Sequence, residues 1–223
     1  MTKTAAGRTV LPTYTKGEEL LNSISHGAGA VFGVAALVLC VVQAALHGDA
    51  WAVVSGSIYG ASLVVMYCMS TLYHAITHQG ARKVFRVLDH TSIYFLIAGT
   101  YTPITLVTLR GALGWVIFGI VWGGAILGIT LNAVSIERFK KFSMISYIVM
   151  GWAVVIGSVK LFHVMHPQGI AFLIAGGVFY TAGIVFYKMK KIPYMHGIWH
   201  LFVLAGSVMH FFCIYLYIMP IGK

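Results

Sequence analysis

MHGIWHLFVLAGSVMHFFCIYLYI, residues 195–218, is an apolar run that contains no lysine, arginine or carboxylate. A helix needs about 20 such residues to cross the hydrocarbon core of a bilayer, so the run is long enough to span one. It opens on His196-Gly-Ile-Trp-His200, two histidines four apart. On a helix that spacing puts both rings on one face, one turn above each other. Two imidazoles so placed can reach one metal ion. The spacing alone equally fits two histidines that pack or hydrogen-bond, so the question is what the rest of the chain brings to the same place.

The rest of the chain has the same apolar character. Of 223 residues, 59% are hydrophobic and 9% are charged, and the mean hydropathy is +0.88. A soluble domain carries about 25% charged residues. Six further apolar runs lie at residues 22–46, 51–76, 87–109, 113–134, 142–163 and 168–187. The expected fold is all-α, a seven-transmembrane-helix bundle: residues 1–21 form a cytoplasmic tail, 22–218 the membrane domain and 219–223 a short C-terminal tail. The polar N-terminal segment lacks the apolar stretch and small-residue cleavage site of a signal peptide, so the first span is expected to act as its own insertion signal.

Charge sets the expected orientation. With the N-terminus cytoplasmic, the inner segments hold Lys3, Arg8 and Lys16; Arg82, Lys83 and Arg86; Arg138, Lys140 and Lys141; and Lys188, Lys190 and Lys191. That is twelve of the fifteen basic residues, with Arg110, Lys160 and Lys223 left outside. Such asymmetry follows the positive-inside rule and places the C-terminus outside. It also accounts for the net charge of +10 without nucleic acid, since the bases sit in loops between apolar runs. A receptor of the G-protein-coupled type would have the opposite orientation. A retinal protein would need a lysine in the last span.

Polar groups inside spans are costly unless paired or binding something. Glu18, Glu19, Asp49 and Glu137 read as tail or loop residues, which leaves Asp89 as the only carboxylate within a span. Its bland reading is a partner for Arg86 or a tyrosine. The second span ends Ser70-Thr-Leu-Tyr-His74, again four apart on one face. Given the orientation, His74 closes the second span, Asp89 opens the third and His196 and His200 open the seventh, all at one depth on the cytoplasmic half. Three imidazoles, a carboxylate and a hydroxyl suit Zn2+, and three protein nitrogens leave a fourth position open, as in catalytic zinc sites. Asp89 is then the candidate general base or water-holding partner, and Ser70 the group that bonds the water or a developing oxyanion.

Those stretches carry a resemblance. Asn22-Ser-Ile-Ser-His26-Gly27, Ser70-Thr-Leu-Tyr-His74, Leu88-Asp-His90, Ala98-Gly-Thr-Tyr-Thr-Pro103 and His196-Gly-Ile-Trp-His200 resemble the hemolysin III family, bacterial members of the progestin and adipoQ receptor group that includes the adiponectin receptors. The resemblance implies seven helices with the N-terminus inside, zinc on His74, His196 and His200, a water-holding aspartate at Asp89 and a serine at Ser70. It places the chain in the bacterial cytoplasmic (inner) membrane. The wider superfamily is similar to alkaline ceramidases and other membrane metal-dependent hydrolases.

Other residues have plainer readings. His26 is a candidate partner that would hold the metal-binding histidines in place from behind. His210 is too far along its helix to share the ion, and His90 points about 100° away from Asp89. Cys40, Cys68 and Cys213 read as small buried hydrophobes. Gly29 and Gly33, Gly56 and Gly60, Gly119 and Gly123, and Gly124 and Gly128 read as helix-packing pairs, and Pro103 as a kink. The functions these features admit are an intramembrane zinc hydrolase of lipid amides or esters, a sensor or receptor with structural zinc, and a pore-forming haemolysin. Membrane lipids are the expected partners, with a lipid substrate or ligand in the bundle; no nucleic-acid partner is expected, and an oligomer is compatible with the sequence.

Overall fold

The computed structural model describes residues 11–220. Residues 1–10 and 221–223, with Lys3, Arg8 and Lys223, lie outside the described residues. The described chain is all helical: α1 Lys16–His47, α2 Ala50–Ala75, α3 Gln79–Pro103, α4 Ala112–Val134, α5 Ile136–Gly151, α6 Ser158–Val164, α7 Pro167–Lys188 and α8 Met195–Tyr217. Six stretches are long and apolar enough to cross a membrane: α1, α2, α4, the run Ile136–Val164, α7 and α8. Large apolar side chains point outward from them, Val31 at 73% and Val159 at 74% exposure among them, as expected when lipid is the solvent.

The exception is α3. It is as long as its neighbours, but its first half carries Arg82, Lys83, Arg86 and Asp89. Its second half is buried without interruption from Ala98 to Leu109. A helix surrounded by protein need not be apolar toward lipid, and its polar groups are satisfied locally. Thr100, Thr102 and Thr105 donate their hydroxyls to carbonyls four residues back, each at 2.8 Å. Pro103 ends the α-helix, as its missing N–H requires. The chain widens into a π turn, Ile104–Thr108, closed by Leu109 N–H donating to Ile104 O at 2.9 Å.

Two expectations about local structure differ from what is found. The helix preceding the first apolar run starts at Lys16 rather than residue 22, because Thr15 and Glu18 form a reciprocal capping box. The run 142–163 is not one helix. It breaks after Gly151 into a 3-10 turn, Ala153–Gly157, before α6. The break is bridged from α3: Tyr101 Oη donates to Gly151 O at 2.8 Å and accepts from Val154 N–H at 2.7 Å. Backbone groups freed at membrane depth need such partners. Tyr101→Phe is therefore expected to leave both unpaired at about 1–3 kcal/mol each, lowering the melting temperature of the purified protein by several degrees. An unchanged melting curve would show that the break needs no bridge.

Glycine spacing is only partly about packing. On the α1–α2 face a side chain at Gly60 would lie 2.5 Å from Leu37 Cα, so the two backbones meet there. Gly119 and Gly123, by contrast, face open space, so that pair is not a packing motif. Cys40 and Cys213 are free thiols in the core, and Cys68 is a free thiol at its edge.

Candidate metal centre

The end of α2 and the start of α8 come together at one end of the bundle. His74, His196 and His200 each present a ring nitrogen, and these three atoms lie within 4.8 Å of one another. In all three rings Nε2 is buried and without a hydrogen-bond partner. Burying such an atom unpaired costs about 1–3 kcal/mol, so three facing each other make an unstable arrangement unless something binds between them. The donor set and the convergence of these unpartnered atoms fit one metal ion.

The other nitrogens explain why Nε2 is free. His74 Nδ1 lies 2.7 Å from Glu19 Oε2, and His200 Nδ1 lies 3.2 Å from Asn22 O. A carboxylate and a carbonyl only accept, so both Nδ1 atoms must carry the proton and donate it. Each Nε2 is then left with a lone pair directed into the cluster. Asn22 Nδ2, at 3.4 Å from His74 Nδ1, is therefore a neighbour rather than a donor to it. Ser25 Oγ adds a contact to His200 Nδ1 at 3.3 Å.

These partners all come from the first turns of α1. Glu19, Asn22 and Ser25 recur at three-residue spacing on one face, and Asn22 and Ser25 are buried although they open an apolar helix. Glu19 is not a tail residue: it joins His74 to Arg82, with which it forms an ion pair. The missed signal was that polar face on a run otherwise fit for lipid. Glu18 ties the start of α1 to the start of α8 by accepting the Tyr194 N–H at 3.0 Å. Tyr194, the residue before α8, sits in the left-handed region at φ 65°, a conformation that costs a bulky residue about 1–2 kcal/mol. The Tyr14 ring stacks on His196 with centroids 5.1 Å apart and lies 5.8 Å from His74, roofing the cluster. Burial first, then Tyr73 and Tyr187, push the Tyr14 phenol well above its ordinary value, so it remains a neutral hydroxyl.

Glu19→Ala removes the acceptor that holds His74 in the metal-ready tautomer. Affinity for the metal is expected to fall about 10- to 100-fold, read by competition with a fluorescent chelator, while Glu19→Gln keeps an acceptor oxygen and loses less.

The remaining candidates surround the cluster. Asp89 is buried at the wall of the adjoining cavity with His196. Its bland reading as a partner for Arg86 does not hold, because Arg86 Nη1 donates to Glu137 at 2.6 Å instead. The nearest basic ring to Asp89 is that of its neighbour His90, at 3.5 Å. Ser70 Oγ is fully buried with no hydrogen-bond partner. His26 makes no hydrogen bond to the three ligand candidates; its ring lies flat on His200, centroids 3.5 Å apart, and both its nitrogens are unpartnered. His210 stands apart and contacts Leu173 O at 3.1 Å.

An open cavity runs from this cluster between α3, α5, α7 and α8. Its wall is mostly apolar and aromatic, with Tyr147, Trp152, Tyr180, Tyr187 and Trp199 prominent. Helices α5 and α7 both line it and make few contacts with each other. A hydrogen bond, Trp152 Nε1–H to Thr181 Oγ1 at 3.1 Å, links the residue after α5 to α7.

Residues 14–211 match the family described as Haemolysin-III related. The chain is 45% identical to Hemolysin-3 of Bacillus cereus over 91% of its own length and 93% of the relative's. It is 42% identical to the Hemolysin-3 homolog of Bacillus subtilis (strain 168), covering 93% and 98% of the two chains. At greater distance it is 29% identical to the human monocyte to macrophage differentiation factor, covering 90% and 84%. No match was found among solved structures.

Proposed function

The chain belongs to the haemolysin-III-related family of multi-pass membrane proteins, and from that premise we propose that it is a seven-span protein of a bacterial cytoplasmic membrane that hydrolyses amide or ester bonds in lipids at a zinc site. Its N-terminus would be cytoplasmic and its C-terminus outside, with α3 as the additional span and the run Ile136–Val164 as one. The observation that carries the reading is the set of three clustered histidines, each with a buried unpartnered Nε2, near a buried carboxylate at the head of an apolar cavity.

His74, His196 and His200 would hold the ion. Zinc, when bound, supplies Lewis acidity toward a carbonyl oxygen and toward water. Asp89 Oδ atoms orient the attacking water and accept its proton, since no arginine neutralises this carboxylate. Ser70 Oγ–H, buried close to the Asp89 carboxylate, would donate to the oxygen that gains charge on the reacting carbonyl. Tyr14 excludes cytoplasmic water from above, and the cavity accommodates an acyl chain that enters between α5 and α7.

Turnover of ceramides, other lipid amides and lipid esters by the purified protein is the direct test. Product that forms equally with and without a strong chelator would sink the reading. A second reading, a sensor with structural zinc, is favoured by the way the cluster ties α8 to α2 and, through Glu19 and Asn22, to α1. It expects chelation to lower the melting temperature with no turnover at all. Lysis, suggested by the relatives' names, is tested by dye release from liposomes carrying the metal-loaded protein.

A further inference from the structure

We infer that Lys140 and Lys190 form a clamp for the negatively charged headgroup of a membrane lipid, at the cytoplasmic mouth of the cavity. The inference rests on the reading of the cavity as a lipid site and names the lipid class it takes.

Lys140, on α5, lines the cavity. Lys190 follows α7, with its ammonium 5.0 Å from the centre of the Tyr187 ring, itself part of the cavity wall. Lys140 thus belongs to the cavity wall and Lys190 stands over a ring of the same wall, so both ammonium groups are at this end of the cavity. Tyr187 continues inward to His196, centroids 6.2 Å apart, so the pair stands above the histidine cluster.

Among the described residues no carboxylate side chain pairs with either lysine. The chain has five carboxylate side chains, and all are placed. Glu18 accepts from Thr15 and Tyr194, Glu19 meets His74 and Arg82, Asp49 meets Arg110, Glu137 meets Arg86, and Asp89 lies deeper beside His90. Burial first, then Lys140, push Lys190 down to about 8, so the nearby positive charge adds to the cost of burying its own. An anion between them removes that repulsion and makes two charge-assisted bonds. The apolar cavity below suits the attached acyl chains, and a free phosphate would leave that surface bare.

The test uses the full-length, metal-loaded protein in a neutral detergent. It is titrated with dioleoyl phosphatidylglycerol, dioleoyl phosphatidylcholine and inorganic phosphate, and bound ligand is counted by native mass spectrometry. Phosphatidylglycerol is expected to bind about twenty-five-fold more tightly than phosphatidylcholine, roughly five-fold for each lysine. The Lys140→Gln, Lys190→Gln double variant should lose that preference and keep its phosphatidylcholine binding, whereas Lys188→Gln, Lys191→Gln, with the same change in net charge, should keep it. Equal binding of both lipids by the parent protein, or equal losses in the two double variants, overturns the clamp. Inorganic phosphate that binds as tightly as phosphatidylglycerol overturns the lipid assignment. Metal content and turnover are measured on the same samples. Lysine variants that keep both while the preference never existed would sink the clamp alone. A parent protein that prefers phosphatidylglycerol but turns over no lipid would sink the hydrolase reading alone.

Discussion

Purified His200→Ala protein is expected to carry almost no metal, where the parent chain carries about one ion, measured by mass spectrometry of the acid-digested sample. His200 is fully buried, and its Nε2 is one of the three unpartnered atoms that converge. Removing the ring takes away one of three candidate protein ligands, leaves a cavity against His26, and leaves Asn22 O with Ser25 Oγ–H as its side-chain donor. Stability should fall as well, since a metal that binds only the folded chain contributes its binding energy to folding. Because a variant at so buried a position can fail to fold, His196→Ala is the companion. His196 is only partly buried, so its loss should empty the site with less damage to packing. Chelation of the parent protein should reproduce the drop in melting temperature without any mutation. Full metal content in both variants would show that the histidine cluster is a packing feature.

The second large effect is on turnover. Asp89→Asn keeps the size and most of the hydrogen-bonding capacity of the side chain but cannot accept a proton. If Asp89 acts as general base, lipid hydrolysis should fall about 10²- to 10⁴-fold while metal content stays at the parental level. That split separates a base from a ligand, because loss of a ligand would lower both. Ser70→Ala should cost less in rate, on the order of 10²-fold for one oxyanion donor. Turnover unchanged in Asp89→Asn would remove the carboxylate from the mechanism and leave the structural-metal reading the stronger one.

The histidine cluster was legible in the chain because its signals are local. His196 and His200 share a helix face by spacing alone, and the charge pattern of the loops sets their depth against His74 and Asp89. The groups that make the cluster ready for a metal were less visible. Glu19 and Asn22 precede or open the first apolar run, and from the sequence a carboxylate there reads as a solvated tail residue. The capping box at Thr15 and Glu18 carries the helix below residue 22 and thereby brings Glu19 to His74. The Arg86–Glu137 pair, which leaves Asp89 without a basic side chain of that kind, joins residues far apart in sequence and could not be chosen over Arg86–Asp89 by spacing.

Composition, spacing and loop charge by themselves pointed to a helical membrane protein whose histidines gather at one end of the bundle. In lipid every backbone group must be satisfied within its own segment, so a long apolar run has almost no structure open to it but a helix. Which face each helix turns inward was decided only by tertiary structure. The spans are apolar all round, and between helices in lipid the choice rests on close packing and on a few buried hydrogen bonds rather than on a difference in hydrophobicity. That is why Gly60 packs and Gly119 does not, why the chain breaks at Gly151 opposite Tyr101, and why α5 and α7 part to leave a cavity.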